Sequence, residues 1–173
     1  MGAERTIMER VKTQLQNIDG GSSYTFNVSG SDQVVIGQTF ASHRLPGVYL
    51  FTNGTTTKQE AGRTELTRDE REMTVQIEAW GPSTSAAAGT ALLDALDMQD
   101  DIFRAIESDR SLGGNVRDVE LEATTYEGAE MDRPGLGMVV CLLTIRYTEA
   151  AGAEYELVRC RLGAPRADPD RQL

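Results

Sequence analysis

The sequence is poor in histidine, cysteine and aromatic residues. It has one histidine and two cysteines, and Phe, Trp and Tyr together make up 6% of the chain. A Ser-His-Asp or Cys-His arrangement would have to include the single histidine, His43. That residue lies in the polar stretch "ASHRLP", without apolar residues to frame a site. We therefore expect His43 to be a solvated loop residue and the protein to have no catalytic residues.

Motifs that hold metals or nucleotides are missing too. The sequence has no C-x-x-C, no H-E-x-x-H and no EF-hand spacing, and its glycine pairs lack the lysine of a P-loop. Asp97, Asp100 and Asp101 have helical spacing, which predicts a solvated outer face more simply than a cation site. The sequence thus predicts a protein without enzyme activity, bound metal or cofactor.

Long apolar runs are also absent. No stretch of about 18 apolar residues could cross a membrane, and the N-terminus does not look like a signal peptide. The cysteines, Cys141 and Cys160, sit in two strand-like runs, where a hairpin would place them nearly opposite each other. Since nothing points to an oxidising compartment, we expect buried, reduced thiols in a protein made in the cytosol.

Positive charge is scarce. Asp and Glu outnumber Lys and Arg 27 to 17, for a net charge of −10. Tight binding of nucleic acid needs dense Lys and Arg against phosphate, so the composition disfavours a direct DNA binder. An acidic surface favours solubility, and it would also let DNA pass without sticking.

The first 70 residues show one helix and several short strands. Apolar residues with helical spacing predict a helix over 4–18, with one buried side made of Ile7, Met8, Val11, Leu15 and Ile18. Alternation predicts short strands at 24–28, 33–40 and 47–51. Residues 52–70 are polar and of mixed charge, which fits either a long loop or a protruding hairpin.

The spacing of the apolar residues changes from alternation to a helical period between residues 71 and 107. Met73, Val75, Ile77 and Ala79 alternate with Thr74, Gln76, Glu78 and Trp80. Gly81 and Pro82 end this strand, and Ser83 or Ser85 can cap a following helix. We predict that the helix buries a stripe of Leu92, Ala95, Leu96, Ile102, Phe103 and Ile106. Its outer face would then carry Asp94, Asp97, Asp100, Asp101 and Glu107.

Two further strands predict the fold class. "VRDVELEATTYE" turns Val119, Leu121 and Ala123 inward and Glu120 and Glu122 outward, and "MVVCLLTIRYT" is apolar on both faces. The order predicts an α+β domain over 1–148, with an antiparallel or mixed sheet and two helices packed on one face. Residues 149–173 would add an extra strand and a flexible arm.

One cluster of apolar residues has no place in that core. Trp80, Val140 and Leu142 would lie on the sheet face away from the helices. Apolar residues collected on a surface often mark an interface. We therefore take these three as candidate subunit-interface residues.

The order and spacing of several segments resemble the tail terminator, or tail completion, proteins of long-tailed bacteriophages. The segments are "LPGVYLF", "REMTVQIEAWG", "GTALLDALDMQDDIFRAI", "VRDVELEATTYE", "MDRPG" and "GMVVCLLTIRYT", within residues 5–148. The resemblance lies in pattern and order rather than in single motif residues.

The resemblance implies a homo-oligomeric ring, a hexamer, in the neck of the virion, built from subunits made in the host bacterial cytoplasm. The ring would cap the head-proximal end of the tail tube, stop polymerisation of the tail tube protein, and offer a docking surface to the head-tail connector protein. DNA would pass through its lumen without sequence-specific binding. A head-tail connector or head completion protein is the alternative. The polar segment 52–70 is a candidate partner contact, through Lys58, Arg63, Arg68 and Arg71.

Overall fold

A computed structural model describes residues 2–37, 45–58, 68–82, 90–114, 116–127 and 136–150. These residues form α1 (Ala3–Leu15), β1 (Val34–Ile36), β2 (Gly47–Lys58), β3 (Arg68–Pro82), α2 (Thr90–Glu107), β4 (Asp118–Glu127) and β5 (Leu136–Ala150). Some predicted features lie outside the described residues: His43, Arg63, the helix caps Ser83 and Ser85, Cys160, and the extra strand with the arm after Ala150.

The strands form one mixed sheet in the order β1-β2-β3-β5-β4. β1 pairs parallel to β2, and every other neighbouring pair is antiparallel. The two long strands β3 and β5 lie next to each other, from Arg68 opposite Ala150 to Pro82 opposite Leu136. The predicted α+β class, with a sheet and two helices, is confirmed.

The core lies on one face of the sheet. The predicted alternation in β3 and β5 is correct: one face of each strand is buried, and the other is half-exposed. The buried hydrophobic residues on the core face of these strands are Met73, Val75, Ile77, Ala79, Val139, Cys141, Leu143, Ile145 and Tyr147. α1 adds Ile7, Met8, Val11 and Leu15 to the same cluster. Ile18 is buried there too, as predicted, although the helix ends at Leu15 and not at residue 18.

The predicted buried stripe of α2 is wrong at its N-terminal half. Leu92 and Leu96 are exposed, whereas the predicted outer residues Asp94 and Asp101 are buried. The helix turns Ala95, Met98, Ile102, Ala105 and Ile106 into the core, with Phe103 partly buried beside it. Two apolar stripes are compatible with the spacing, and small Ala95 allows closer packing on the sheet than a leucine would.

Residues 24–28 are not the strand that their alternation predicted. Within the described residues they pair only through an isolated bridge between Asp19 and Asn27. Phe26 and Val28 are nevertheless buried in the core cluster. Residues 24–28 therefore bury alternate side chains as an irregular segment that packs against the core. β1 covers Val34–Ile36, and residues 38–40 of the predicted strand lie outside the described residues.

The hairpin alternative for residues 52–70 is the correct one where the chain is described. β2 and β3 stay paired out to Lys58 opposite Glu70, with a register shift between Thr52 and Gly54. β5 accompanies them to Ala150. β4 begins at Asp118, level with Arg146, so residues 57–58, 68–71 and 147–150 continue past it as a three-stranded ribbon.

Candidate interaction surfaces

The sheet face away from the core is rich in carboxylates, and we call it the open face. Side chains directly opposite each other on neighbouring strands share a face, so the register assigns its members. Glu72 lies opposite Arg146, which lies opposite Asp118. Among the residues with described side chains, six acidic residues belong to this face: Glu70, Glu72, Glu78, Asp118, Glu120 and Glu122.

Arg146 holds three of these carboxylates together. Its guanidinium nitrogens lie 3.2 Å from Glu72, 3.4 Å from Asp118 and 3.3 Å from Glu120. The hydrogen bond to Glu72, with the charges of all three carboxylates, raises the pKa of Arg146. A second arginine, Arg117, pairs with Glu70 at 3.1 Å. A third arginine, Arg110, lies 3.4 Å from Asp118. Among the described side chains, three arginines thus face six carboxylates, which leaves the open face negative while the ion pairs link β3, β4 and β5.

The predicted interface residues lie on the open face, as expected, but none of them is fully exposed. Trp80, Val140 and Leu142 are all half-buried. Tyr49 and Met138, on the same face, are buried within the single chain. Burial raises the pKa of the Tyr49 phenol. This end of the open face therefore offers less apolar area to another subunit than the sequence suggested.

A different apolar surface lies on α2. Leu92, Leu93 and Leu96 are 44%, 61% and 38% exposed, and we call them the leucine patch. Residues three and four positions apart are neighbours on a helix surface, so Leu96 lies beside both Leu92 and Leu93 and joins them into one patch. Asp97 and Asp100 are exposed near its C-terminal side. The sequence signal for this surface is the apolar run of Leu92, Leu93 and Leu96, of which Leu92 and Leu96 are part of the stripe predicted to be buried.

Of the four predicted charged contacts, the structure describes the side chain of Arg71 alone. Lys58 and Arg68 lie at the end of β2 and the start of β3, and their side chains are outside the description. Arg63 lies outside it altogether. Arg71 alone is described in full, and it is half-buried on the core side of the ribbon.

Arg71 contacts a buried tyrosine rather than open solvent. Arg71 and Thr55 each form a side-chain hydrogen bond with Tyr147. The Tyr147 hydroxyl also lies 3.5 Å from a carboxylate oxygen of Glu4 on α1. Burial, and then the charge of Glu4, raise the pKa of Tyr147. Tyr147 thus connects the ribbon to the first helix, with Arg71 bound to it from β3.

The outer edge of β4 is the third candidate surface. In the part of the chain that the structure describes, no strand pairs with β4 on the side away from β5. Val119 is buried and Leu121 half-buried, whereas Glu120 and Glu122 are exposed, as their alternation predicted. The side chain of Ala123 lies outside the description. The strand pairs regularly from Asp118 to Ala123, where a register shift follows.

Among the described residues, no arrangement of side chains is recognisable as a metal site or a reactive centre. They contain no group of three or more His, Cys, Asp or Glu that could hold a metal ion. Burial raises the pKa of the Cys141 thiol to about 12, so the thiol stays protonated and unreactive at neutral pH. Neither described helix is long and apolar enough to span a lipid bilayer.

No protein-family model matches this chain, and no curated protein matches it.

Proposed function

We propose that this chain is a structural virion protein without enzyme activity. It forms a homo-oligomeric ring, a hexamer, that caps the head-proximal end of a bacteriophage tail tube. The ring stops polymerisation of the tail tube protein and presents a docking surface to the head-tail connector protein. DNA crosses its lumen without sequence-specific contacts. The order and spacing of the segments that resemble tail terminator proteins support this function.

The leucine patch is the observation that carries the proposal beyond resemblance. Three leucines stand on a helix surface of a chain with a net charge of −10. Burying a leucine side chain against another protein stabilises the contact by about 2 kcal/mol. Such a patch favours a chain that functions in an assembly over one that functions alone.

The open face fits passage of DNA. Its carboxylates outnumber its arginines, so it repels phosphate rather than binding it. A ring that exposed such a surface to its lumen would offer DNA no strong attachment point.

The position of the protein in the particle tests the proposal. We expect gold-labelled antibody against a C-terminal tag to mark one spot per particle in negative-stain electron microscopy, at the junction of tail and head. Label along the whole tube, or no label on finished particles, would overturn the proposal. A head-tail connector would be labelled at the same junction, and tail length separates the two functions.

A further inference from the structure

The outer edge of β4 has the properties of a strand-binding site. An edge strand presents a row of backbone N–H and C=O groups that another strand can pair with. From Asp118 to Ala123 the strand pairs with β5 without interruption, so its outer side has regular geometry. Glu120 and Glu122 lie exposed on the open face, and Val119 and Leu121 turn to the core side.

These residues specify what kind of strand would fit. A neighbour placed against β4 would set its side chains beside those of β4, face by face. It should carry positive charge at every second position, to meet Glu120 and Glu122. It should carry apolar residues between them, to continue the row of Val119 and Leu121.

The C-terminal sequence of this chain carries that complementary pattern. Residues 158–162 read Val-Arg-Cys-Arg-Leu, so Arg159 and Arg161 alternate with Val158, Cys160 and Leu162. With Cys160 opposite Leu121 in an antiparallel pair, Arg159 lies opposite Glu122 and Arg161 opposite Glu120. Val158 and Leu162 then meet Ala123 and Val119. All five positions match in charge or in polarity.

We propose that residues 158–162 of one copy bind as a sixth strand to the outer edge of β4 in a second copy. This inference rests on the proposed ring and names the contact between its neighbouring subunits. Each copy gives a strand and receives one through different surfaces, and such a head-to-tail contact closes into a ring when the rotation allows it.

The direction of the strands favours binding of residues 158–162 to β4 of a second copy over binding to β4 of their own chain. The described part of β5 ends at Ala150, four residues past Arg146, which is level with the start of β4. Four residues of strand span roughly 13 Å, so Ala150 lies well beyond the start of its own β4. To reach the outer edge of its own β4, the chain after Ala150 would have to turn back and run parallel to β4. A strand from a second copy can pair antiparallel, which is the more stable arrangement.

Disulfide trapping with the natural Cys160 tests the proposal. Opposite residues in an antiparallel pair have Cα atoms about 4.5–5.5 Å apart, within the range a disulfide spans. In the purified full chain with Leu121→Cys, mild oxidation should give a ladder of cross-linked oligomers on a non-reducing gel. The yield should rise with protein concentration. Cys141 is buried and remains unreactive.

Glu122→Cys is the matched control, because it puts a thiol one residue away on the opposite face. It should cross-link at least about tenfold less than Leu121→Cys. In the Leu121→Cys background, Arg159→Glu should lower the yield about fivefold or more, and adding Glu122→Arg should restore it. Circular dichroism checks that each variant is folded. A restored cross-link yield would also show that Arg159→Glu did not lower the yield by misfolding the chain.

Three results would overturn the proposal. The first is no cross-link in a folded Leu121→Cys chain, and the second is equal cross-linking by Glu122→Cys. The third is a concentration-independent disulfide within the monomer, which would place the strand on its own β4. Each of these leaves the gold-labelling and tail-length results standing, so failure of the strand contact is distinguishable from failure of the proposed function.

Discussion

The side-chain amide of Gln14 donates a hydrogen bond to the backbone carbonyl of Ala105, with Nε2 2.8 Å from the oxygen. The same nitrogen lies 3.0 Å from the carbonyl oxygen of Ile106 and 3.1 Å from that of Asp109. The last carbonyls of a helix have no partner within the helix itself. Gln14 of α1 therefore supplies the C-terminal cap of α2, inside the core.

Replacing Gln14 with methionine tests this cap. Methionine keeps most of the side-chain volume but donates no hydrogen bond, so buried carbonyls lose a partner. We expect a loss of about 1–3 kcal/mol in the free energy of unfolding, measured by urea denaturation. Thr13→Ala, at the exposed neighbouring position, should change it by about 0.5 kcal/mol or less. Equal effects of the two substitutions would contradict the capping role.

Asp101 holds the irregular segment before β1 against α2. Its Oδ2 accepts hydrogen bonds from the backbone N–H groups of Thr25 and Phe26, at 2.7 and 2.9 Å. We expect Asp101→Ala to cost about 3 kcal/mol, since hydrogen bonds to a charged group are worth about 1.5–3 kcal/mol each. Thermal unfolding measures the loss. Hydrogen exchange should also become faster at the amides of Thr25 and Phe26.

The neighbouring residue gives the control for Asp101. Asp100 has the same side chain but is exposed. Asp100→Ala should leave the unfolding free energy within about 0.5 kcal/mol of the original. If both substitutions destabilised the chain alike, general loss of charge on α2 would be the cause, and the role of Asp101 would be refuted.

Much of the sheet could be predicted from the sequence, because alternation is a local signal. It assigned the two faces of β3 and β5 correctly, and with them the positions of Trp80, Val140 and Leu142. It could not give their exposure, which depends on residues distant in the chain. The same alternation puts Arg71 on the face of Met73 and Val75, but its charge had led us to place it on a protruding contact surface.

The local sequence pattern could not predict which side of α2 faces the sheet. Both of its apolar stripes have helical spacing, and the choice depends on which one fits the sheet. Asp101 looked like a solvent-facing residue because its partners, two backbone amides, lie about 75 positions earlier in the chain. For the same reason the spacing wrongly predicts burial for two members of the leucine patch, Leu92 and Leu96.

Gly81 leaves room for a contact between β3, α2 and the segment before β1. An added Cβ would overlap the end of the Met98 side chain and lie 3.2 Å from a ring carbon of Phe26. We expect Gly81→Ala to destabilise the chain by about 1 kcal/mol through overpacking, since the flexible end of Met98 can shift while the ring of Phe26 is also close. Gly2→Ala is the control: nothing lies within 4 Å of its added Cβ, and at this helix N-cap the change should cost about 0.5 kcal/mol or less.

A double mutant separates crowding from other causes at Gly81. Met98→Ala removes the side chain that meets the new Cβ. The cost of Gly81→Ala should therefore be smaller in the Met98→Ala background than in the original chain, when unfolding by urea is compared. An unchanged cost would mean that Met98 is not the obstacle.

The turn after α2 should respond to acid. Hydrogen bonds to Asp109 from the Ser111 hydroxyl, and then from the Gly113 N–H, lower its pKa. A carboxyl whose pKa is lower in the folded state stabilises the fold above its unfolded pKa, and that contribution is lost as the pH falls through the folded value. NMR titration should give Asp109 a midpoint below the ordinary aspartate value. Ser111→Ala should raise that midpoint, and an unchanged midpoint would contradict the assignment.

The leucine patch should matter for assembly and not for folding. Leu93 is the most exposed of the three residues, so Leu93→Glu should change the unfolding free energy by about 0.5 kcal/mol or less. The charge should prevent burial of the patch against a partner. Supplied during infection in place of the original chain, the variant should leave few tails joined to heads, as counted by electron microscopy. Asp97→Gln, close by on the same helix, is the control and should support normal assembly.

Tail length in particles assembled without this chain tests the central claim most directly. Negative-stain microscopy of such a preparation should show tail tubes that are headless and overlong, with normal length restored when the original chain is supplied. Finished tails of normal length beside filled, unjoined heads would contradict a terminator and indicate the head-tail connector instead.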